Sequence, residues 1–128
     1  MTVEIAASTV HTLIYTSITV IGILVISSLA AYEFTFYNFP LKKVLFGLLM
    51  ASMMLPQVLY IIPLYRLVFS MNLADTFAGI SFPMMVSALS VFIMMQFLED
   101  LPLSFIESAR IDGAGHFQIY RRIVLPLM

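Results

Sequence analysis

Two histidines, seven carboxylates and no cysteine are a sparse kit for chemistry in this 128-residue chain. His11 and His116 stand far apart, and neither has a Cys or a paired carboxylate near it at metal-ligand spacing, so no metal site is expected. No serine sits in a strand-to-helix elbow as a nucleophile would. No glycine-rich loop runs into Lys-Ser or Lys-Thr, so the chain has no nucleotide cradle of its own. Without cysteine there is no disulfide framework and no thiol chemistry. A formal net charge of -1 leaves no electrostatic footprint for nucleic acid. The sequence therefore reads as a non-enzyme without cofactor, and any ATP that drives it must bind another polypeptide. The groups close enough to act together lie in the last thirty or so residues, between Glu99 and Arg122.

The elements that must hold that segment are set by where charge is missing. Charged residues are 10% of the chain, against roughly 25% in soluble domains. They are excluded from three stretches, 5–32, 44–65 and 76–98. Each is long enough, at about 20 residues per crossing, to span a hydrocarbon core as a helix. One central charge costs about 2.5–3.5 kcal/mol, whereas each Leu, Ile, Phe or Val returns roughly 0.3–0.6, so the absence of charge weighs as much as the apolar content. A soluble chain of this length has too few remaining helices to cover three that are apolar all round. A signal peptide is a poor fit to the first stretch, which is too long and carries Glu4 with no Lys or Arg before Lys42. The expected fold is all-α and membrane-spanning, with three transmembrane helices over about 12–32, 44–65 and 77–97, within one domain over 1–128.

Orientation follows from the basic residues. Lys42, Lys43, Arg110, Arg121 and Arg122 fall on one side and only Arg66 on the other, which makes the first side cytoplasmic. The aromatic run Tyr32, Phe34, Phe36, Tyr37 and Phe39 then reads as an interfacial belt. Pro56, Pro63 and Pro83 each remove a donor and are expected to bend their helices. Gln57, between Pro56 and Pro63, either faces a transport pathway or packs against a neighbouring helix. An ion-coupled carrier would place ionisable residues inside the spans, and these spans hold none.

After the third stretch the pattern changes. Leu98 to Ala114, then His116 to Pro126, read as two short helices with a joint, over about 99–126. Pro102 suits a first helical turn. Leu103, Ile106 and Ala109 recur at helical spacing. Asp112-Gly113 is a turn dipeptide; Gly113 is suited to a positive φ that ends the first helix, and Asp112 is placed to cap the second. Phe117, Tyr120 and Val124 are expected to line one face of the second helix. Ser104-x-x-Glu107 also fits a capping box.

Glu107-Ser108-Ala109, three residues, Gly113, nine residues, Ile123, one residue, Leu125-Pro126 resembles the EAA loop of permease subunits in binding-protein-dependent ABC importers. Only the first alanine of that pattern is replaced, by Ser108. Ala30-Ala31-Tyr32, Phe39-Pro40, Leu55-Pro56, Ile62-Pro63-Leu64-Tyr65 and Gln96-Phe97 are similar to the carbohydrate branch, of maltose type or glycerol-phosphate type. The resemblance implies a bacterial inner-membrane, multi-pass transporter subunit for a sugar or related solute. It implies a loop that docks as a coupling helix on cytoplasmic ABC ATPase subunits, a second permease subunit, and a periplasmic or extracellular solute-binding protein. On that resemblance the docking loop holds Glu107, Ser108, Ala109, Asp112, Gly113, Ala114, Ile123, Leu125 and Pro126, with Glu107 as the polar contact. The family has further spans after this loop and usually one before, so the chain reads as an incomplete permease core, a fragment or truncated gene product. The alternative is a transport-incompetent remnant or membrane adaptor that keeps the docking loop.

Overall fold

The computed structural model describes residues 2–128, with side chains from Ile5 onward. Every regular element among them is helical: α1 (Thr2–Phe36), α2 (Lys42–Met53), a 3-10 turn (Gln57–Tyr60), α3 (Ile61–Ser70), α4 (Phe77–Met84), α5 (Ala88–Glu99), α6 (Leu103–Ile111), α7 (His116–Ile119), a π-helical turn (Tyr120–Val124) and α8 (Leu125–Leu127). The all-α expectation holds. By length and composition α1 is long and apolar enough to cross a membrane as one helix, and α2 with 57–70 and α4 with α5 each pass the same test as a bent pair, a broken span or a re-entrant loop.

The span ends differ from those expected. α1 runs on past Tyr32 to Phe36 and begins well before residue 12. At about 1.5 Å per residue it is roughly 50 Å long, more than a bilayer core requires. Pro40 restricts Phe39 to extended backbone, and Leu41 turns the chain at φ 65° into α2. The second stretch breaks because Pro56 lacks a donor and clashes with the carbonyl four residues back. Pro56 itself is extended, at φ -60° and ψ 132°. Pro63 does not bend anything, contrary to expectation. It sits in the first turn of α3, where the missing N–H would be unpaired anyway. Pro83 lies inside α4, and the third stretch breaks just after it, between Met84 and Ala88.

The chain divides into two compact units, residues 1–26 with 54–87, and residues 27–53 with 88–128. In the first, α3 ends in a Schellman motif: Asn72 N–H donates to Phe69 O at 3.0 Å and Leu73 N–H to Val68 O at 3.1 Å, with Asn72 left-handed at φ 56°. Thr76 then caps α4, accepting from Gly79 N–H at 3.0 Å and donating to Leu73 O at 2.7 Å. A Cβ on Gly79 would strike the Leu73 carbonyl oxygen, so this turn has no room for a side chain. His11, Tyr15 and Phe77 form an aromatic trio, the Tyr15 and Phe77 rings 4.6 Å apart.

In the second unit a buried core joins the end of α1 (Ala31, Tyr32), α5 (Val91, Met95, Leu98), α6 (Ile106, Ala109) and the last helical segment (Ile119, Tyr120, Val124). The Gly79 turn yields a direct test. Gly79→Ala is expected to lower thermal stability in detergent by about 1–3 kcal/mol through backbone overpacking. Gly47→Ala, whose Cβ meets nothing within 4 Å, is expected to be neutral or to raise it by up to about 1 kcal/mol. Paired melting curves of the two variants check both signs.

Candidate functional site

The segment after Leu98 is built from two short helices whose joint is closed by hydrogen bonds. α6 starts at Leu103 with Pro102 at its N-cap position, φ -59° and ψ 123°. Ser104 is therefore already inside the helix, and no side chain caps it. The Ser104–Glu107 capping box is not formed, so Glu107 has no capping role here and stands exposed. At the other end the chain makes a full Schellman motif. Gly113 N–H donates to Arg110 O at 3.0 Å and Ala114 N–H to Ala109 O at 2.9 Å. Gly113 has φ +80°, as the turn dipeptide predicts. A Cβ there would meet nothing within 4 Å, so glycine is required by its dihedral and not by space.

Asp112 does not cap the second helix. It is the C-cap of α6, at φ -71° and ψ 1°, and α7 begins instead from Gly115 with no side-chain cap. The reason is spacing. The Schellman turn uses Gly113 and Ala114, which moves the next helix start three residues beyond Asp112. Ser108, the departure from the Glu-Ala-Ala pattern, returns its hydroxyl to Ser104 O at 2.8 Å. The extra polar group is thus satisfied within α6.

The second helix is not a regular α-helix. Leu125 N–H donates to Tyr120 O, five residues back, which makes Tyr120–Val124 a π turn. Pro126 follows directly and would have clashed with the Arg122 carbonyl in regular α geometry. Ile119, Tyr120 and Val124 face inward, while Phe117 is 68% exposed and leaves the face expected of it. From α6, Ile106 and Ala109 are buried, but Leu103 is exposed. The outer side carries Glu107, Arg121, Arg122 and Ile111, the last 86% exposed.

The inner side is bolted to α1 by residues that sequence reasoning placed in lipid headgroups. Tyr32 is 2% exposed. Its hydroxyl donates to His116 O at 3.2 Å and lies 2.7 Å from the Tyr37 hydroxyl. The His116 ring stacks on Tyr37, centroids 4.3 Å apart and 21° from parallel. Arg110 lies over the same Tyr37 ring at 4.7 Å, a cation–π contact. The Tyr37 hydroxyl beside it pushes the guanidinium pKa further up. Tyr120 reaches Ser28 with its hydroxyl at 2.7 Å, across 92 residues of sequence. The aromatic run drew attention to these residues, but nothing local signalled these contacts or their partners.

Of the residues expected to work together, Glu107, Ser108, Ala109, Asp112, Gly113, Ala114, Ile123, Leu125 and Pro126 all lie on this two-helix segment. Ala109 is buried, Ile123 and Ala114 half-buried, and the others exposed. Gln57, Pro56 and Pro63 belong to the other unit, all exposed. Among the described residues no cluster of three or more His, Cys, Asp or Glu is placed to hold a metal ion.

An all-α chain with three apolar stretches and a two-helix loop seated on the end of its first helix fits a multi-pass membrane protein. The chain belongs to the family described as binding-protein-dependent transport system inner membrane component, whose model matches residues 6–128. It is 40% identical over 107 residues to the sn-glycerol-3-phosphate transport system permease protein UgpE of Rhizobium meliloti, and equally to that of Agrobacterium fabrum. The corresponding Yersinia enterocolitica protein is 37% identical. These alignments cover 84% of this chain and 38% of each relative. The chain is thus an inner-membrane transporter component and not an enzyme.

The dihedral at Gly113 sets an expectation for the loop itself. Gly113→Val is expected to cost about 1–3 kcal/mol of local stability through strain at positive φ, and Gly113→Ala about 1–2 kcal/mol. Insertion depends on the charge-free stretches and is expected to stay normal. Amide exchange across 108–119 at matched membrane abundance reads the effect, with faster exchange in the order Val, Ala, wild type. Equal protection in all three removes the dihedral requirement.

Proposed function

We propose that this chain supplies part of the permease of an ATP-driven, binding-protein-dependent importer of the ABC class. The loop docks as a coupling helix on a cytoplasmic ATPase subunit, a second permease subunit completes the pathway, and a periplasmic or extracellular binding protein delivers the solute. The solute is a polyol phosphate or related carbohydrate, sn-glycerol 3-phosphate being the one named for its relatives. One observation carries this reading: the two-helix loop turns an exposed outer face to its surroundings, with Glu107 and Ile111 both on it. Its other face is sunk in the core. Ile111 and Phe117 supply apolar area for a partner, and Glu107 one charge-assisted hydrogen bond. ATP-driven closure of the partner then moves a loop that cannot deform alone.

Orientation supports the same reading. Lys42, Lys43, Arg110, Arg121 and Arg122 draw 99–128 to the cytoplasmic side, where the ATPase is. The broken stretches at Pro56 and after Pro83 suit backbone that lines a pathway or packs on other helices, and Gln57 stands at the first of these breaks.

The test is co-purification of the ATPase with the intact transporter, and uptake of labelled sn-glycerol 3-phosphate. Ile111→Asp is expected to reduce ATPase retention by about tenfold or more, as loss of a central apolar anchor does. A cysteine at exposed Gln118, in a chain free of native cysteine, is expected to react with an impermeant thiol reagent only from the cytoplasmic side. Reaction from the opposite side, or full ATPase retention by Ile111→Asp, overturns the docking arrangement.

A further inference from the structure

We propose that Tyr120 and Ser28 are positioning residues that make the loop and the adjoining end of α1 move as one body. This rests on the reading that the loop receives a displacement from an ATPase. α5 leads into the loop through a short covalent connection, from Glu99 to Leu103. α1 has no such connection. It lies some seventy residues upstream of the loop, and motion reaches it through packing alone.

Two kinds of packing are present, and they do different work. The apolar contacts of Ala31, Tyr32, Ile106, Ala109, Ile119 and Val124 hold the loop down, but apolar attraction has no direction and permits sliding. The hydroxyl contacts fix register. Tyr120 meets Ser28 at 2.7 Å, with both residues buried. Four residues earlier in the same helical segment, His116 O accepts from Tyr32 at 3.2 Å. The second helix is therefore tied to α1 at two points, and its π turn begins at one of them. The Tyr120 side chain is buried, so a shift of the loop along α1 takes its hydroxyl off Ser28 without bringing it to the surface. Moving together avoids that penalty.

Ser27 provides an internal control. It is as buried as Ser28, yet its hydroxyl has no hydrogen-bond partner among the described residues. Tyr120→Phe, Ser28→Ala, the double variant and Ser27→Ala are compared in the assembled transporter with its ATPase and binding protein. The readout is solute imported per ATP hydrolysed, at matched ATPase retention. Tyr120→Phe is expected to lower that ratio by about three- to tenfold, the scale of one net hydrogen bond. The double variant falls no further than Tyr120→Phe alone, and Ser27→Ala matches wild type. A residue that only stabilises the fold changes abundance and leaves the ratio alone. Spin labels on cysteines at exposed Glu33 and Gln118 read the contact without transport. Their distance is expected to be the same with and without trapped nucleotide in wild type, and to broaden in Tyr120→Phe. A normal ratio in Tyr120→Phe, additive losses in the double variant, or an unbroadened distance each overturn the proposal. Failure of the wild type to retain any ATPase overturns the transport reading instead, and the label distances still decide the contact.

Discussion

The hydroxyl of Tyr32 donates to the backbone carbonyl of His116, and the loop is arranged around that contact. Tyr37 pairs with the same hydroxyl, so Tyr37, Tyr32 and His116 form a short hydrogen-bonded chain in which each member polarises the next. The second face of the cluster comes from stacking, with His116 and Arg110 both against the Tyr37 ring. An aromatic group at the end of an apolar helix ordinarily serves to float it at a headgroup layer. Here the rings are consumed within the protein, because α1 continues beyond Tyr32 and brings them under the loop. The outer face of the loop is then free to carry Glu107 and Ile111, since none of its area is needed to hold it in place.

Backbone satisfaction explains why the three apolar stretches look so different. α1 contains no proline and stays whole. Pro56 and Pro83 interrupt the other two, and the released carbonyls there need partners from protein or from water in a pathway. Pro63 shows that proline content alone does not decide the matter. Seven residues further along, in a first helical turn, the same residue type is harmless. The breaks therefore mark places where carbonyls lose their partners within the helix and need others.

Much of this was legible in the sequence, and the gaps have physical causes. The absence of charge located the three stretches, and the Asp112-Gly113 dipeptide located the joint together with the positive φ at Gly113. The helix ends were less legible, because capping depends on which residue begins the helix. Pro102 took the N-cap place and left Ser104 two residues too late to form a box with Glu107. Asp112 lost its capping role in the same way, since the Schellman turn spent the next two residues. The pairing of Tyr120 with Ser28 across 92 residues was beyond any local pattern. The exposure of Phe117 was not legible either, since the inward face of this segment is set by Ile119 and by Tyr120 on Ser28.

That π turn gives the length of the loop a meaning separate from its composition. A π turn holds a surplus residue relative to an α-helix, and the surplus is taken up before Leu125 and Pro126. Each residue of an α-helix advances the side-chain direction by about 100° around the axis. The four residues between Tyr120 and Leu125 therefore act as a phase setting. They determine the azimuth at which Leu125 and Pro126 leave the loop once Tyr120 is fixed on Ser28. Deleting one of them would turn Leu125 and Pro126 about the axis relative to Tyr120 while leaving the residues before Tyr120 in place. Count, in this loop, is as much a structural variable as sequence.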